Sequence, residues 1–310
     1  MAPDLRISAV EYLAWRRALG YRLSRYDGLI GQFLDYLGEQ HESRISVEHA
    51  LAWACLPGDT RARWHTARLA AIRGFAAHVH AHCAEAADLI PAGLVPSRVD
   101  HAVPYLYTPT QLTGLITHAR TLRPEVRGLT LATVIGLMAA TGMRIGEALA
   151  LDTTSLDPAG ATIAVTGKYG KQRLLPVHSS TTAALTSYLR TSRALVGSPH
   201  DQALLVTGNA TRPLAGNIQH GFRALTRACR LPAGTGNNEP RLHDLRHTFA
   251  VDTLVEAHRA GVDVDAQIAA LATYLGHVSP TSTYWYLTAS PELLDLVNDQ
   301  VEAHRQGRSA

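Results

Sequence analysis

Lysine is nearly absent from this chain: of 29 basic residues only Lys168 and Lys171 are lysine, and the rest are arginine. A guanidinium does not readily give up its proton, whereas an ammonium can, so lysine is kept where a titratable cation could matter. Chance neighbours in a glycine-rich turn are the plainer alternative. Cysteine is scarce as well. Cys55, Cys83 and Cys229 are odd in number and none is paired as CxxC, which argues against a disulfide framework or a zinc–thiolate site and for a reducing cytoplasm. Long apolar runs are missing. The N-terminus has no signal-peptide core, and Leu129 to Ala140 falls short of the roughly 20 residues a spanning helix needs, so a soluble protein without membrane contact is expected. A large charge excess is missing too: the formal +3 is compatible with a polyanion partner but does not single one out. What remains, 46% hydrophobic and 18% charged residues over 310 positions, suits an ordinary globular chain of two domains.

Residues 1–87 read as a four-helix unit. Ser8 with Glu11 forms a capping-box pattern ahead of Val10, Leu13 and Ala14, with Gly20 as a stop. Tyr26, Leu29, Ile30, Phe33, Leu34 and Leu37 repeat at helical spacing up to Gly38. Ser46 to Ala54 makes a third helix, and Trp64, Ala67, Ala71, Ile72, Phe75 and Val79 stripe a fourth. Arginines such as Arg16, Arg17, Arg61 and Arg68 fall on the remaining faces, where they could meet phosphates without reading sequence or could simply be solvated. Residues 88–107 carry Pro91, Pro96 and Pro104 without periodicity and read as an extended linker.

From residue 108 to 310 the pattern predicts a second domain of the α+β class, mostly helical. A helix starts at Thr110, and an apolar one striped by Leu131, Val134, Ile135 and Met138 ends near Gly142. Ala161 to Thr166 and Arg173 to Val177 flank Gly167-Lys-Tyr-Gly-Lys171 as a β-hairpin. Helices resume at Thr181–Leu195 and Asn217–Cys229, a loop covers Pro232 to Pro240, and helices dominate from His243 onward. The fold class is therefore mainly α with one small antiparallel sheet.

Five short motifs stand out: Thr141-Gly-Met-Arg-Ile-Gly-Glu147, the hairpin Gly167–Lys171, His243-Asp-Leu-Arg-His247, Leu275-Gly-His277 and Thr283-Tyr-Trp-Tyr-Leu287. In this order and spacing the chain resembles the tyrosine recombinase (phage integrase) family from about Thr108 to Ala303, while the N-terminal helices resemble its core-binding domain in type. The resemblance implies that Arg144 and Arg246 clamp a phosphate, Lys168 is a general acid on the hairpin, His243 and His277 support them, Tyr286 is the nucleophile and Glu147 an acidic support residue. It implies a double-stranded DNA substrate, a homo-oligomer, a tetramer on synapsed DNA, and no metal or other cofactor. The chain begins at the core-binding helices, which fits a simpler recombinase of the chromosome-dimer-resolving or transposon-borne kind.

The chemistry agrees with those roles. Displacement at a phosphodiester adds charge to oxygens already anionic, and two guanidiniums can grip the non-bridging oxygens in bidentate fashion. A phenol with a pKa near 10 needs cationic neighbours or a base to receive its proton, and His243 is the candidate. The departing 5′-oxygen needs a proton, and Lys168 on a hairpin can supply it.

Each residue also has a plainer reading. His243 and His247, four apart, have a metal-ligand spacing but no third ligand or HExxH glutamate. Glu147 could be a first-turn helix carboxylate. Tyr284 competes with Tyr286 if the helix register shifts. The stretch with Leu293, Leu294, Leu296, Val297 and Val301 reads as an amphipathic C-terminal helix that docks on a neighbouring protomer or on its own domain. A type IB topoisomerase, or a DNA-binding protein of the same fold without chemistry, are the competing functions.

Overall fold

The computed structural model describes residues 3–21, 23, 25–56, 62–95, 103–167, 170–199, 201–234 and 238–276. Lys168, His277, Tyr284, Tyr286, Arg61 and the C-terminal helix lie outside the described residues. The chain divides into two compact units, Met1–His101 and Ala102–Ala310.

The first unit is helical: α1 (Leu5–Ala18), α2 (Tyr26–Glu39), α3 (Val47–Cys55) and α4 (Ala62–His82). The α1 cap lies earlier than the Ser8–Glu11 pattern suggests. The Asp4 carboxylate, on an extended backbone, accepts from the Arg6 and Ile7 amides, and the Ser8 amide is already bonded to the Asp4 carbonyl inside the first turn. α2 runs one residue past the expected end at Gly38, to Glu39, and His41 takes the positive φ that follows. Ser46 caps α3 through the His49 amide. The helices bury Ile30, Phe33, Leu37, Trp53, Ile72 and Phe75 against one another, with Phe33 edge-on to Trp53. At about 1.5–3 kcal/mol for each fully buried large apolar side chain, this cluster holds the helices together. After α4 the chain turns back: the Ile45 amide bonds to the Ala86 carbonyl, the Asp88 amide to the Ile45 carbonyl, and Ile90 and Val95 enter the same core. The stretch read as a linker is thus anchored at one end here and at the other by Tyr105 and Tyr107, both buried in the second core.

The second unit is built around α6 (Glu125–Thr141), which buries Val126, Leu131, Val134, Ile135, Leu137 and Met138 around most of its circumference. Packing against it are α5 (Pro109–Thr121), α8 (Ser179–Val196), α9 (Ala215–Ala228) and α10 (Asp244–Arg259), and α11 (Val264–Leu275) packs on α10. A capping box between Thr108 and Gln111, with Pro109 in the first turn, starts α5. α5 and α6 cross closely at Gly128, where an added Cβ would lie 2.4 Å from the Ala119 carbonyl oxygen. The hairpin is β2 (Thr162–Thr166) paired antiparallel with β3 (Gln172–Pro176). A two-residue β1 (Leu156–Asp157) adds to β2, a strand too short to leave an alternation pattern. The fold is mainly helical with one small antiparallel sheet, as the sequence predicts.

Candidate functional site

The break between α6 and the short helix α7 (Ile145–Leu149) is made by Gly142, at φ +61°. Any side chain there would be strained by the backbone and would also collide with its neighbours, since a Cβ would stand 2.5 Å from Phe249 on α10 and 2.9 Å from Leu275 on α11. The tight break brings Arg144 to the position just before α7 and next to the ends of α10 and α11. Arg144 and Glu147 therefore do not share a helix face. Arg144 precedes the helix, and Glu147 in its first turn reaches back to accept from the Arg144 amide (3.0 Å) and guanidinium (3.0 Å). Glu147 is thus a first-turn carboxylate, and both its oxygens accept from Arg144.

Arg246, in the first turn of α10, is 1% exposed. Its guanidinium donates to the Gly142 carbonyl (2.8 Å) and the Leu275 carbonyl (3.0 Å). Arg144 approaches the same strand of main chain, at 3.5 Å from the Leu275 carbonyl and 3.4 Å from the Gly276 carbonyl. Two guanidiniums thus converge on the residues directly preceding His277. With 36% of its side chain exposed, Arg144 remains open to an incoming anion.

The hairpin joins them. The Gly167 amide bonds to the Lys171 carbonyl (2.8 Å), closing the turn that carries Lys168, and a Cβ on Gly167 would lie 3.8 Å from the Glu147 carboxylate. From β3, Arg173 donates to both Glu147 oxygens (3.2 and 2.9 Å) and to the Tyr274 carbonyl (2.9 Å). Glu147 is 7% exposed. Burial would raise its pKa, but the hydrogen bonds from Arg173 and the Arg144 amide, with both guanidinium charges, outweigh that and hold it below the ordinary carboxylate value.

His243 stands at the start of α10 with its ring edge-on to His247, 5.0 Å between centroids. The ring reaches solvent, yet dense protein surrounds it. Desolvation by that protein lowers the imidazole pKa below the usual value, and the charge of Arg246 lowers it further; Asp244 pulls the other way, and Arg144 and Arg241 add smaller downward contributions. Asp244, 1% exposed, accepts from the Arg241 amide and guanidinium and so shapes the turn that leads into His243. Tyr107 secures the same turn, donating to the Arg241 carbonyl (2.9 Å). Among the described residues no group of three His, Cys, Asp or Glu side chains is gathered as a metal site, and no helix is long and apolar enough to cross a membrane.

The four segments that meet here carry, or lead into, four of the five sequence motifs; the fifth, Thr283–Leu287, lies outside the described residues. Residues 106–292 match the model of the phage integrase family. The chain belongs to the phage integrase family. As a member it is a tyrosine-type site-specific DNA recombinase. This integrase-family chain is 35% identical over 311 residues to a Sinorhizobium fredii protein named as an integrase/recombinase, y4rB, covering 98% of this chain and 99% of that one. It is 29% identical to tyrosine recombinase XerC of a Roseiflexus species, covering 89% and 86%. Among solved structures, the XerH site-specific recombinase bound to its palindromic difH substrate in a post-cleavage complex has the same fold. The TM-score is 0.62 at 16% identity, over 83% of this chain and 73% of that chain.

The basic residues expected at DNA in the integrase's first unit differ in setting. Arg16 lies over the Tyr21 ring (3.8 Å), and Arg17 pairs with Asp27 at the surface. Arg68 is 6% exposed, stacked 3.7 Å over the Trp53 ring and donating to the Trp53 carbonyl (2.8 Å). That contact, of about 2 kcal/mol when desolvated, makes Arg68 a packing residue in this structure. Lys171, the DNA contact expected in the second unit, is exposed at the hairpin. Arg173 escaped the sequence reading, although a signal was present: on β3 the polarity is inverted, with Leu174 facing solvent and Arg173 on the same side as the buried Leu175.

Proposed function

We propose that this recombinase cleaves one strand of a specific DNA site through Tyr286, forming a 3′-phosphotyrosyl bond, and then passes the strand to a new partner. The convergence of Arg144 and Arg246 on the Leu275–Gly276 main chain, immediately before His277, carries the reading. The phenol oxygen attacks phosphorus, the bond from phosphorus to the 5′-oxygen breaks, His243 receives the phenol proton and Lys168 protonates the departing oxygen. Arg144, Arg246 and His277 bear the charge on the non-bridging oxygens. The phosphotyrosyl bond conserves the energy of the broken diester, so a second 5′-hydroxyl reverses the step without ATP. Strand exchange needs two duplexes, hence a homotetramer on synapsed DNA acting in the cytoplasm. Arg16, Arg17, Arg61 and Lys171 would add phosphate contacts that position the duplex without reading it. Integration, excision or transposition of a mobile element is the proposed use, in keeping with the name borne by the Sinorhizobium relative.

The test is a nicked duplex that loses a short 5′-hydroxyl fragment after cleavage and so traps the intermediate. A denaturant-resistant adduct is expected, with DNA attached through its 3′-phosphate to the peptide containing Tyr286. A 5′-linked adduct, or none on the cognate site, would sink the proposal.

The lowered pKa of His243 sets the pH dependence of the step. A base must be neutral, and a depressed imidazole stays neutral from pH 7 down past the ordinary value of about 6.5. Single-turnover cleavage should therefore run flat through neutrality and fall only as pH drops through the lowered value. In His243→Gln the rate should be lower by about 10²-fold and this acid limb should disappear. A limb unchanged in that variant would remove His243 from the role of base.

A further inference from the structure

We infer that Arg173 is a positioning residue of the cleavage site: by taking up the charge of Glu147 it leaves Arg144 free to face the phosphate, and it locks the Lys168 hairpin to the chain before His277. The inference rests on the DNA-cleavage reading above and extends it to a residue on the hairpin strand.

Glu147 stands 3.0 Å from the Arg144 guanidinium, and a carboxylate that close to a phosphate-binding cation cancels much of its attraction for an anion. Two guanidiniums share this one carboxylate, however, and their geometries differ. Arg173 engages it with a full fork, at 3.2 and 2.9 Å, whereas the Arg144 guanidinium offers a single bond to Oε1. The planar fork matches a carboxylate as an ammonium cannot. The triad keeps one net positive charge, and it falls on Arg144, 36% exposed, rather than on Arg173, 17% exposed.

Arg173 also holds the hairpin mechanically. Arg173 pairs with Val165 across the hairpin, so it belongs to the ribbon whose turn holds Lys168. Its Nε donates to the Tyr274 carbonyl (2.9 Å), and the Tyr274 hydroxyl donates back to the Pro176 carbonyl of the same strand (3.3 Å). A Cβ on Gly276 would lie 3.0 Å from Arg173 Nη1, so the guanidinium also lies directly against the residue before His277. One side chain thus spans the hairpin, α7 and the end of α11. An arginine placed on the inward face of β3, where Leu175 is apolar and buried, is well suited to that single task.

The experiment compares wild type, Arg173→Gln, Arg173→Lys and the double variant Glu147→Gln/Arg173→Gln on the trapping duplex. The scissile position carries either a phosphodiester or an uncharged methylphosphonate, and DNA affinity and thermal midpoint are measured in parallel. On the phosphodiester, Arg173→Gln should cleave about 10- to 100-fold more slowly with DNA affinity little changed, the range for groups that orient a directly acting one. The loss should shrink on the methylphosphonate, where less charge awaits Arg144. It should shrink again in the double variant, which removes the carboxylate together with its counter-ion. Arg173→Lys, with the charge but not the fork, should fall between wild type and Arg173→Gln; it is the variant that decides the matter if Arg173→Gln does not fold. Wild-type rates in both single variants, or an equal loss on the two substrates, would overturn the inference while leaving the cleavage reading intact. Absence of any adduct from wild type would instead overturn the cleavage reading and the inference with it.

Discussion

Tyr286→Phe is expected to bind its recombination site as wild type does and to form no denaturant-resistant adduct with it. The loss should be complete rather than partial, because the substitution removes the one oxygen that would bond to phosphorus. Tyr284→Phe is the matched control. Both residues lie in the run Tyr284-Trp285-Tyr286, and a shift of helix register would exchange their roles. Retained adduct in Tyr284→Phe with none in Tyr286→Phe assigns the nucleophile. The reverse pattern would move it two residues upstream, and adduct in both single variants would refute a unique tyrosine in this run. Mixing Tyr286→Phe protein with protein carrying Arg144→Ala adds a further reading. If each phenol attacks within its own subunit, the mixture makes no adduct; restored adduct would mean that one protomer lends its tyrosine to the clamp of another.

Much of the fold was legible because its elements obey local rules. The stripe of Leu131, Val134, Ile135 and Met138 is an α6 face, and Gly142 is its stop because the left-handed φ and the nearby Phe249 and Leu275 both demand glycine. Ser46 caps α3 where the sequence starts that helix, whereas α5 begins one residue ahead of the expected Thr110 because the Thr108 hydroxyl caps it through the Gln111 amide. The α1 start was misread since Asp4 and Ser8 both offer a cap, and only the extended backbone at Asp4 decides between them. At the site, the family resemblance of the motifs points to Arg144, Glu147, His243 and Arg246, but not to what each one touches. That Arg246 would hold two main-chain carbonyls from buried ground, or that Arg173 would bridge 26 residues back to Glu147 and 101 forward to Tyr274, depends on contacts between segments remote in the chain. Arg68 shows the same limit in the opposite direction: its helical position looks like a surface arginine, and the Trp53 ring beneath it makes it part of the core.

Arg246→Lys should separate the two tasks that fall on one guanidinium. The side chain joins the Gly142 carbonyl at the α6–α7 break to the Leu275 carbonyl at the end of α11, with 1% of its surface exposed. A lysine keeps the charge but offers a compact ammonium on a flexible stem, unable to span both carbonyls in one plane. A buried carbonyl left without a donor costs about 1–3 kcal/mol, which for a domain of this size lowers the thermal midpoint by several degrees. Cleavage should suffer more, by about 10²- to 10³-fold, because the transition-state charge needs donors already aimed at the oxygens and an ammonium must be reoriented to meet them. Rates taken well below the midpoint of both proteins isolate that second effect, since the lysine variant is then folded and the residual deficit is chemical. A lysine variant that melts early yet cleaves at the wild-type rate would make Arg246 a strut between helices and return the phosphate to Arg144 alone. If it melts normally and cleaves slowly, the buried guanidinium serves the phosphate first, and its carbonyl partners hold it in line for that purpose.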